Sequence, residues 1–262
     1  MHMQSPDNPA AASCAHRCLL LAAWGLSFVQ GLASAQEPPS QEPPEVSYPA
    51  IVERATEARG FVPGGWLLER TREGDLDGDG RDDLVLVLKM DAAANRIDNT
   101  ALGPDVFDTN PRMLVAAFAE EGGGYRRVLA DHALVPRPYS PTLDDFLWED
   151  EGGGVEVDGG ALRVSLHMWA SAGTWFTSNT SFTFRYRDGC FRLVGYDKRS
   201  RHRAGEVFTT ISANYLTRRA WRAEGSISSD DEPERNWLRL PKRPLHCLEE
   251  VGDGLEFDPG VP

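Results

Sequence analysis

Apolar and polar residues alternate with a period of two along much of this chain. The clearest case is Phe182, Phe184 and Tyr186 interleaved with Thr183, Arg185 and Arg187, which predicts a strand with one buried and one wet face. That strand and the following "CFRLVGY" flank Asp188-Gly189, a pair that tolerates the positive backbone angles of a tight hairpin. "VEVDGGALRVSLHMW" repeats the device about Asp158-Gly159. Leu84 to Leu88 is an unbroken apolar run after "WLLER", as expected of a strand buried on both faces. "RMLVAAFA" and "YRRVLA" flank a Glu-Glu-Gly-Gly-Gly tip, and "EVFTTISANYLT" from Glu206 predicts one more strand. Between Tyr48 and Gly60 the spacing changes: Ile51, Val52, Ala55 and Ala58 fall at helical intervals, predicting a short amphipathic helix closed by Gly60. Asp91 to Asn110 lacks periodicity and reads as a long loop, and the charged, proline-rich stretch before "PLHCLEE" reads as irregular. Hairpins without parallel crossovers predict a mainly β, antiparallel domain, a β-rich α+β fold with one or two short helices.

The N-terminus stands apart. After Arg17, "CLLLAAWGLSFVQGLASA" ends in Ala33-Ser34-Ala35, the form of a secretory signal cleaved before Gln36. An uncleaved anchor is the alternative, but Ser27, Gln30 and Ser34 interrupt the run before the roughly 18 to 20 apolar residues a spanning helix needs. Residues 1–35 are therefore read as signal peptide, 36–45 as a proline-rich linker, and 46–262 as a single domain in a periplasmic or secreted protein. Export leaves Cys190 and Cys247 in an oxidising compartment, where a disulfide is favoured over two separate thiols. It would close a loop of roughly 57 residues, stabilising the fold by ~4 kcal/mol on the chain-entropy estimate. The formal net charge of -13 argues against nucleic acid and anionic lipid as partners.

"EGDLDGDGRDDLVLVLK", Glu73 to Lys89, crowds aspartates ahead of the buried run. Counted from Asp75, carboxylates stand at positions one, three, five and nine, as Asp75, Asp77, Asp79 and Asp83, with the Arg81 carbonyl at seven. Calcium takes six to eight hard oxygen ligands in a flexible shell, which this spacing can largely supply. An EF-hand needs a bidentate Glu at position twelve, where this chain has Leu86. The alternative is a solvated acidic turn without metal. The stretch resembles the calcium loops of FG-GAP and VCBS-type repeats, which lie between β-strands in integrin α-chain propellers and bacterial surface proteins. That resemblance implies side-chain ligation by Asp75, Asp77, Asp79 and Asp83, backbone ligation by Arg81, Asp82 turned away, and a structural ion. A propeller needs several such loops and one is present, so a full propeller is not expected. The order of signal, loop and strands is similar to that of a group of uncharacterised bacterial exported proteins carrying a single loop.

Other chemistry is sparse. His132, His167, His202 and His246 are widely spaced, without His-Glu-x-x-His or Cys-x-x-Cys, so zinc is not expected. No Gly-x-Ser-x-Gly elbow or phosphate-binding glycine loop occurs. Lys198, Arg199, Arg201 and Arg203 form a basic run that reads either as a contact for an anionic partner or as a solvated loop. Trp169, Trp175 and Phe176 read either as a glycan or peptide surface or as core aromatics. The expected function is an exported, non-catalytic, calcium-stabilised domain recognising a protein or glycan, of which an inhibitor or immunity-type protein is one form. The alternative is an envelope hydrolase with a dispersed site, which a pocket joining His167 or His132 to a carboxylate and a serine would favour.

Overall fold

The computed structural model describes residues 43–262, so the signal peptide and most of the linker lie outside the described residues. Among the described residues there are fourteen strands, and nine of the thirteen connections join consecutive strands that pair with each other. The first sheet contains β1 (Arg54–Ala55), β2 (Trp66–Gly74), β3 (Asp83–Met90), β6 (Arg112–Ala119) and β7 (Tyr125–Asp131) in the order β1-β7-β6-β3-β2. A small ladder of β4 (Arg96–Asp98) and β5 (Val106–Asp108) branches from it. The second sheet is a meander of β8 (Gly154–Asp158), β9 (Ala161–Met168), β10 (Phe176–Arg187), β11 (Cys190–His202), β12 (Val207–Asn214), β13 (Arg219–Ser226) and β14 (Asn236–Arg239), adjacent in sequence order. All pairings are antiparallel. The fold is thus mainly β and antiparallel, as the alternation predicted, and the described sheets form neither a closed barrel nor a propeller.

The apolar runs work as expected. On β3, Val85 and Val87 join one cluster, while Leu84, Leu86 and Leu88 join another on the opposite side. Alternate residues of β6 divide the same way, Leu114, Ala116 and Phe118 against Met113, Val115 and Ala117. Each buried valine, leucine, methionine or phenylalanine among them contributes roughly 1.5–3 kcal/mol by leaving water. The larger cluster lies between the sheets, where Phe118 meets Tyr186 edge-on at 4.6 Å and Phe191 at 6.2 Å. Both tight hairpins of the meander form. One turns through Asp188 and Gly189 at φ 51° and 86°. The other turns through Gly159 and Gly160 at φ 53° and 72°, one residue later than the Asp158-Gly159 reading.

Three expectations need correction. No α-helix forms over Tyr48–Gly60; the stretch holds β1 and a single 3-10 turn at Ala58–Phe61. The other helical pieces among the described residues are also 3-10 turns, at Ala93–Asn95, Glu149–Glu151 and Leu248–Glu250. The reason is tertiary. Arg54 and Ala55 pair with Arg126 and Tyr125, the Arg127 N–H donates to the Glu53 carbonyl at 2.8 Å, and Ile51 joins the second core cluster. A strand partner therefore satisfies backbone groups that a helix would have bonded internally. Asp91–Asn110 is not a bare loop but contains the β4–β5 ladder. The stretch read as irregular contains β13 and β14.

Cys190 and Cys247 form a disulfide with Cα atoms 5.7 Å apart. It fastens the C-terminal tail beside β11, where the Leu193 N–H donates to the His246 carbonyl at 2.8 Å. Leu248, Val251 and Val261 of that tail are buried in the inter-sheet core.

Candidate functional site

The aspartate turn joins β2 to β3. Gly78 and Gly80, at φ 87° and 86°, take the left-handed conformation that only glycine adopts without strain. The chain thereby curls around the Asp75 carboxylate. Oδ1 accepts the N–H groups of Gly78 at 2.7 Å and Asp79 at 3.2 Å, and Oδ2 accepts that of Gly80 at 2.9 Å. These donors, Gly80 and Gly78 foremost, hold the Asp75 carboxyl below its ordinary pKa. Asp83 behaves oppositely. It is fully buried at the start of β3, accepting from Leu76 N at 2.8 Å and Ala119 N at 2.9 Å. Burial pushes its carboxyl above the ordinary range against those two hydrogen bonds, and the charges of Asp77 and Asp79 push the same way.

Of the residues singled out in sequence, Asp75, Asp77 and Asp83 come together, offering one oxygen each with all three within 4.8 Å of one another. Two oxygens on opposite sides of one calcium stand about 5 Å apart, from Ca–O distances near 2.3–2.6 Å. The separation and the all-oxygen donor set therefore fit a single hard cation. Asp79 lies outside that trio; its carboxylate accepts from the Arg81 guanidinium, and its Oδ1 from the Arg81 N–H at 2.8 Å. Asp82 is exposed.

A second arrangement occupies the outer face of the seven-stranded sheet. Leu162, Val164, Phe182, Phe184, Tyr196, Ala213 and Ala220 point into the core, so their alternates point out. The ladder register sets His167, Asn179, Arg199 and Thr210 side by side, with Thr177, Arg201 and Phe208 in the next row. Farther along, Trp237, Trp221, Ser212 and Asp197 form a third row. Three of the four basic residues, Lys198, Arg199 and Arg201, therefore stand on β11, with Arg203 in the turn that follows, and Arg199 and Arg201 face outward. Guanidinium groups lie over aromatic rings here: Arg199 on Phe208 at 4.0 Å, Arg219 on Trp237 at 4.5 Å and Arg235 on Trp221 at 4.9 Å. Among the described residues, Arg199, Arg201, Arg219, Arg235 and Arg239 form no ion pair with a carboxylate.

At one end this face dips into a cleft of about 400 Å³, lined among others by His167, Trp169, Asn179, Arg199, Arg201 and Glu151. Trp169 lies beneath Arg203 at 4.7 Å, while the exposed Trp175 stacks on the His202 ring and the exposed Phe176 meets it edge-on. Buried His167 stands with Nε2 3.4 Å from Asp144 Oδ2 and Nδ1 3.5 Å from Asn179 Nδ2. Ser178, Ser200 and Glu151 line the same cleft as His167, though no hydroxyl or thiol is hydrogen-bonded to that ring among the described residues. His132 instead stacks on Tyr48 at 4.0 Å.

The sequence reading missed Arg219, Trp221, Arg235 and Trp237. Their signal was present, since Arg219-Ala-Trp221 and Trp237-Leu-Arg239 place basic and aromatic residues two apart on strands. No family profile, curated protein or solved structure matches the chain.

Proposed function

We propose that this chain is an exported, non-catalytic recognition domain whose β2–β3 turn is held by a structural calcium ion. The observation that carries the recognition reading is the outer sheet face. A protein of net charge -13 segregates arginines there, stacks them on aromatic rings and leaves them without carboxylate partners. Guanidinium groups so oriented keep their N–H edges free for an incoming acceptor. Periplasmic or extracellular location belongs to the same proposal and is supported by the leader-like N-terminus and the disulfide.

The calcium part is supported by Asp83, a buried carboxylate facing Asp75 and Asp77 with no basic side chain bonded to it. A cation would relieve the charge that burial there disfavours. Asp75, Asp77 and Asp83 would hold it with the Arg81 carbonyl, and Asp79 would join by exchanging the Arg81 guanidinium for the ion. Calcium at a hundredfold excess over its dissociation constant stabilises by about 2.7 kcal/mol. For a domain of this size that raises the melting temperature by roughly 5–10 °C. Asp77→Ala should abolish the rise, and Arg81→Ala, which keeps the backbone oxygen and frees Asp79, should tighten binding. A melting curve indifferent to calcium and chelator sinks the calcium part.

Recognition is tested by immobilising the mature protein and an Arg199→Gln/Arg219→Gln variant, then passing solubilised envelope material over both. Material retained by the first and not by the second supports the reading; equal retention refutes it. The hydrolase reading is favoured by the approach of Asp144 to His167 and by a cleft that brings His167, Glu151, Ser178 and Ser200 together, as a dispersed site would require. Turnover of chromogenic esters or glycosides that His167→Gln abolishes would replace recognition by hydrolysis.

A further inference from the structure

We propose that the outer face of the seven-stranded sheet binds an anionic polysaccharide, its acidic groups held by Arg199, Arg201 and Arg219 and its sugar rings laid on Trp221, Trp237 and the cleft beside Trp169. The inference rests on the recognition reading and supplies its ligand class.

Charge comes first. Carboxylate or sulfate groups match the planar fork of a guanidinium, and an unpaired, ring-stacked arginine is already oriented to accept one. Among the acids of this face, Asp197 stands in the row that carries Trp221, Glu156 stands on the edge strand β8 paired with Arg163, and Glu151 stands at the rim of the cleft. Strands lie about 4.8 Å apart and rise about 3.4 Å per residue, so Arg199 on β11 and Arg219 on β13, two strands and four residues apart in register, are about 17 Å apart. A linear polymer could therefore meet both with different repeat units, whereas one small anion could not.

The shape of the face separates a glycan from an acidic peptide. Extended peptides usually add to a sheet edge or fill an apolar groove. Here the edge strand β14 has four residues, β8 has five, and the arginines stand on the face between them. That face is open and interleaves hydroxyls and an amide, Thr210, Ser212, Ser181 and Asn179, with aromatic rings. Trp237 is exposed with Arg219 over one face of its ring, and the partly buried Trp221, with Arg235 over it, lies 6.5 Å away between centroids, so a sugar would meet the ring faces that the guanidinium groups leave free. Flat apolar surfaces flanked by hydrogen-bonding groups suit pyranose rings, which carry an apolar face and a polar rim.

The test uses the mature chain with four polymers: polygalacturonate for carboxylate, dextran sulfate for sulfate, neutral dextran, and polyglutamate as an acidic peptide. Binding is followed by tryptophan fluorescence and calorimetry. At least one acidic polysaccharide should bind, the preferred one revealing which acid is read, and neutral dextran should not. Affinity should drop about tenfold or more in Arg199→Gln/Arg219→Gln and in Trp237→Ala, whose melting temperatures should match the wild type because these side chains are exposed. It should also fall steeply from about 50 to 200 mM salt. Polyglutamate binding as tightly as the polysaccharides, binding unchanged in the variants, or no acidic polysaccharide bound would each overturn the inference. Retention of envelope material that protease destroys and periodate spares would overturn it while leaving recognition standing.

Discussion

Arg112 opens β6 with its side chain 4% exposed, yet it is charged. Its guanidinium meets the Glu69 carboxylate through two hydrogen bonds of 2.6 and 2.7 Å and Asp145 through a third of 2.6 Å. Glu69 is the extra residue of a bulge in β2, where Leu68 pairs with Leu88 and Arg70 already with Val87. The bulge thus aims an acid where regular pairing would not. Burial alone would lower the Arg112 pKa, but the two carboxylates hold it above the ordinary arginine value. Removing one member of such a cluster costs about 3–5 kcal/mol, mostly because the others remain desolvated and unpaired. Glu69 and Asp145 keep 24% and 42% side-chain exposure, so water can partly reach them. The lower end, about 3 kcal/mol, is therefore expected for Arg112→Ala, a fall of roughly 6–12 °C in melting temperature. Urea titration at neutral pH measures it. Adding Glu69→Gln to Arg112→Ala should return part of the loss by removing one stranded charge. A loss below about 1 kcal/mol, or a further loss on adding Glu69→Gln, would refute the assignment of Arg112 as the pin between the first sheet and the segment carrying Asp144 and Asp145.

Two further outcomes follow from the same geometry. Reduction of the Cys190–Cys247 bridge, or Cys190→Ser with Cys247→Ser, should cost about 2–4 kcal/mol and should first release the tail carrying Leu248, Val251 and Val261; hydrogen exchange that loosens β2–β3 before that tail would contradict it. Burial pushes the Asp145 carboxyl up, but Arg112 and the Leu147 N–H outweigh it and hold its pKa below the ordinary value. Its contribution to stability is therefore complete above the unfolded carboxyl pKa, about 3.9, and disappears as pH falls through the lower folded value. Asp145→Asn should flatten that acid limb in urea midpoints measured across it, and an unaltered limb would show that other carboxylates set it.

Period-two patterning made the strands legible because one buried face per strand leaves a trace in every second residue. It worked best where turn chemistry agreed, as at Asp188-Gly189, and at β3 and β6, whose continuous apolar runs divide between two cores. It failed where a partner strand outweighed local preference. Ile51, Val52, Ala55 and Ala58 carry a helical interval, but β7 is there to receive the backbone of Glu53 to Ala55. Nothing in the local sequence announces that neighbour. The aspartate spacing was likewise legible as a possible oxygen shell, but not that Asp83 would be fully buried or that Arg81 would occupy Asp79.

The outer face marks a different boundary. Each of its strands carries only one or two of the relevant residues, so no window of sequence contains the array; Arg199, Phe208, Trp221 and Trp237 lie on four strands and come to share one face only through register. A one-residue slip in any of these ladders would send its arginine or tryptophan toward the core side. The apolar alternates, Tyr196, Ala213, Ala220 and Leu238, therefore do two things at once: by demanding burial they fix the register, and by fixing the register they assemble the charged face on the reverse. The core composition of β11 to β14 is thus as much a determinant of the proposed binding surface as the arginines themselves. A substitution such as Ala213→Asp, on the core side of β12 and out of reach of any ligand, should accordingly abolish polysaccharide binding by disordering β12 to β14, whereas outward Ser212→Ala, one residue earlier, should leave the sheet intact.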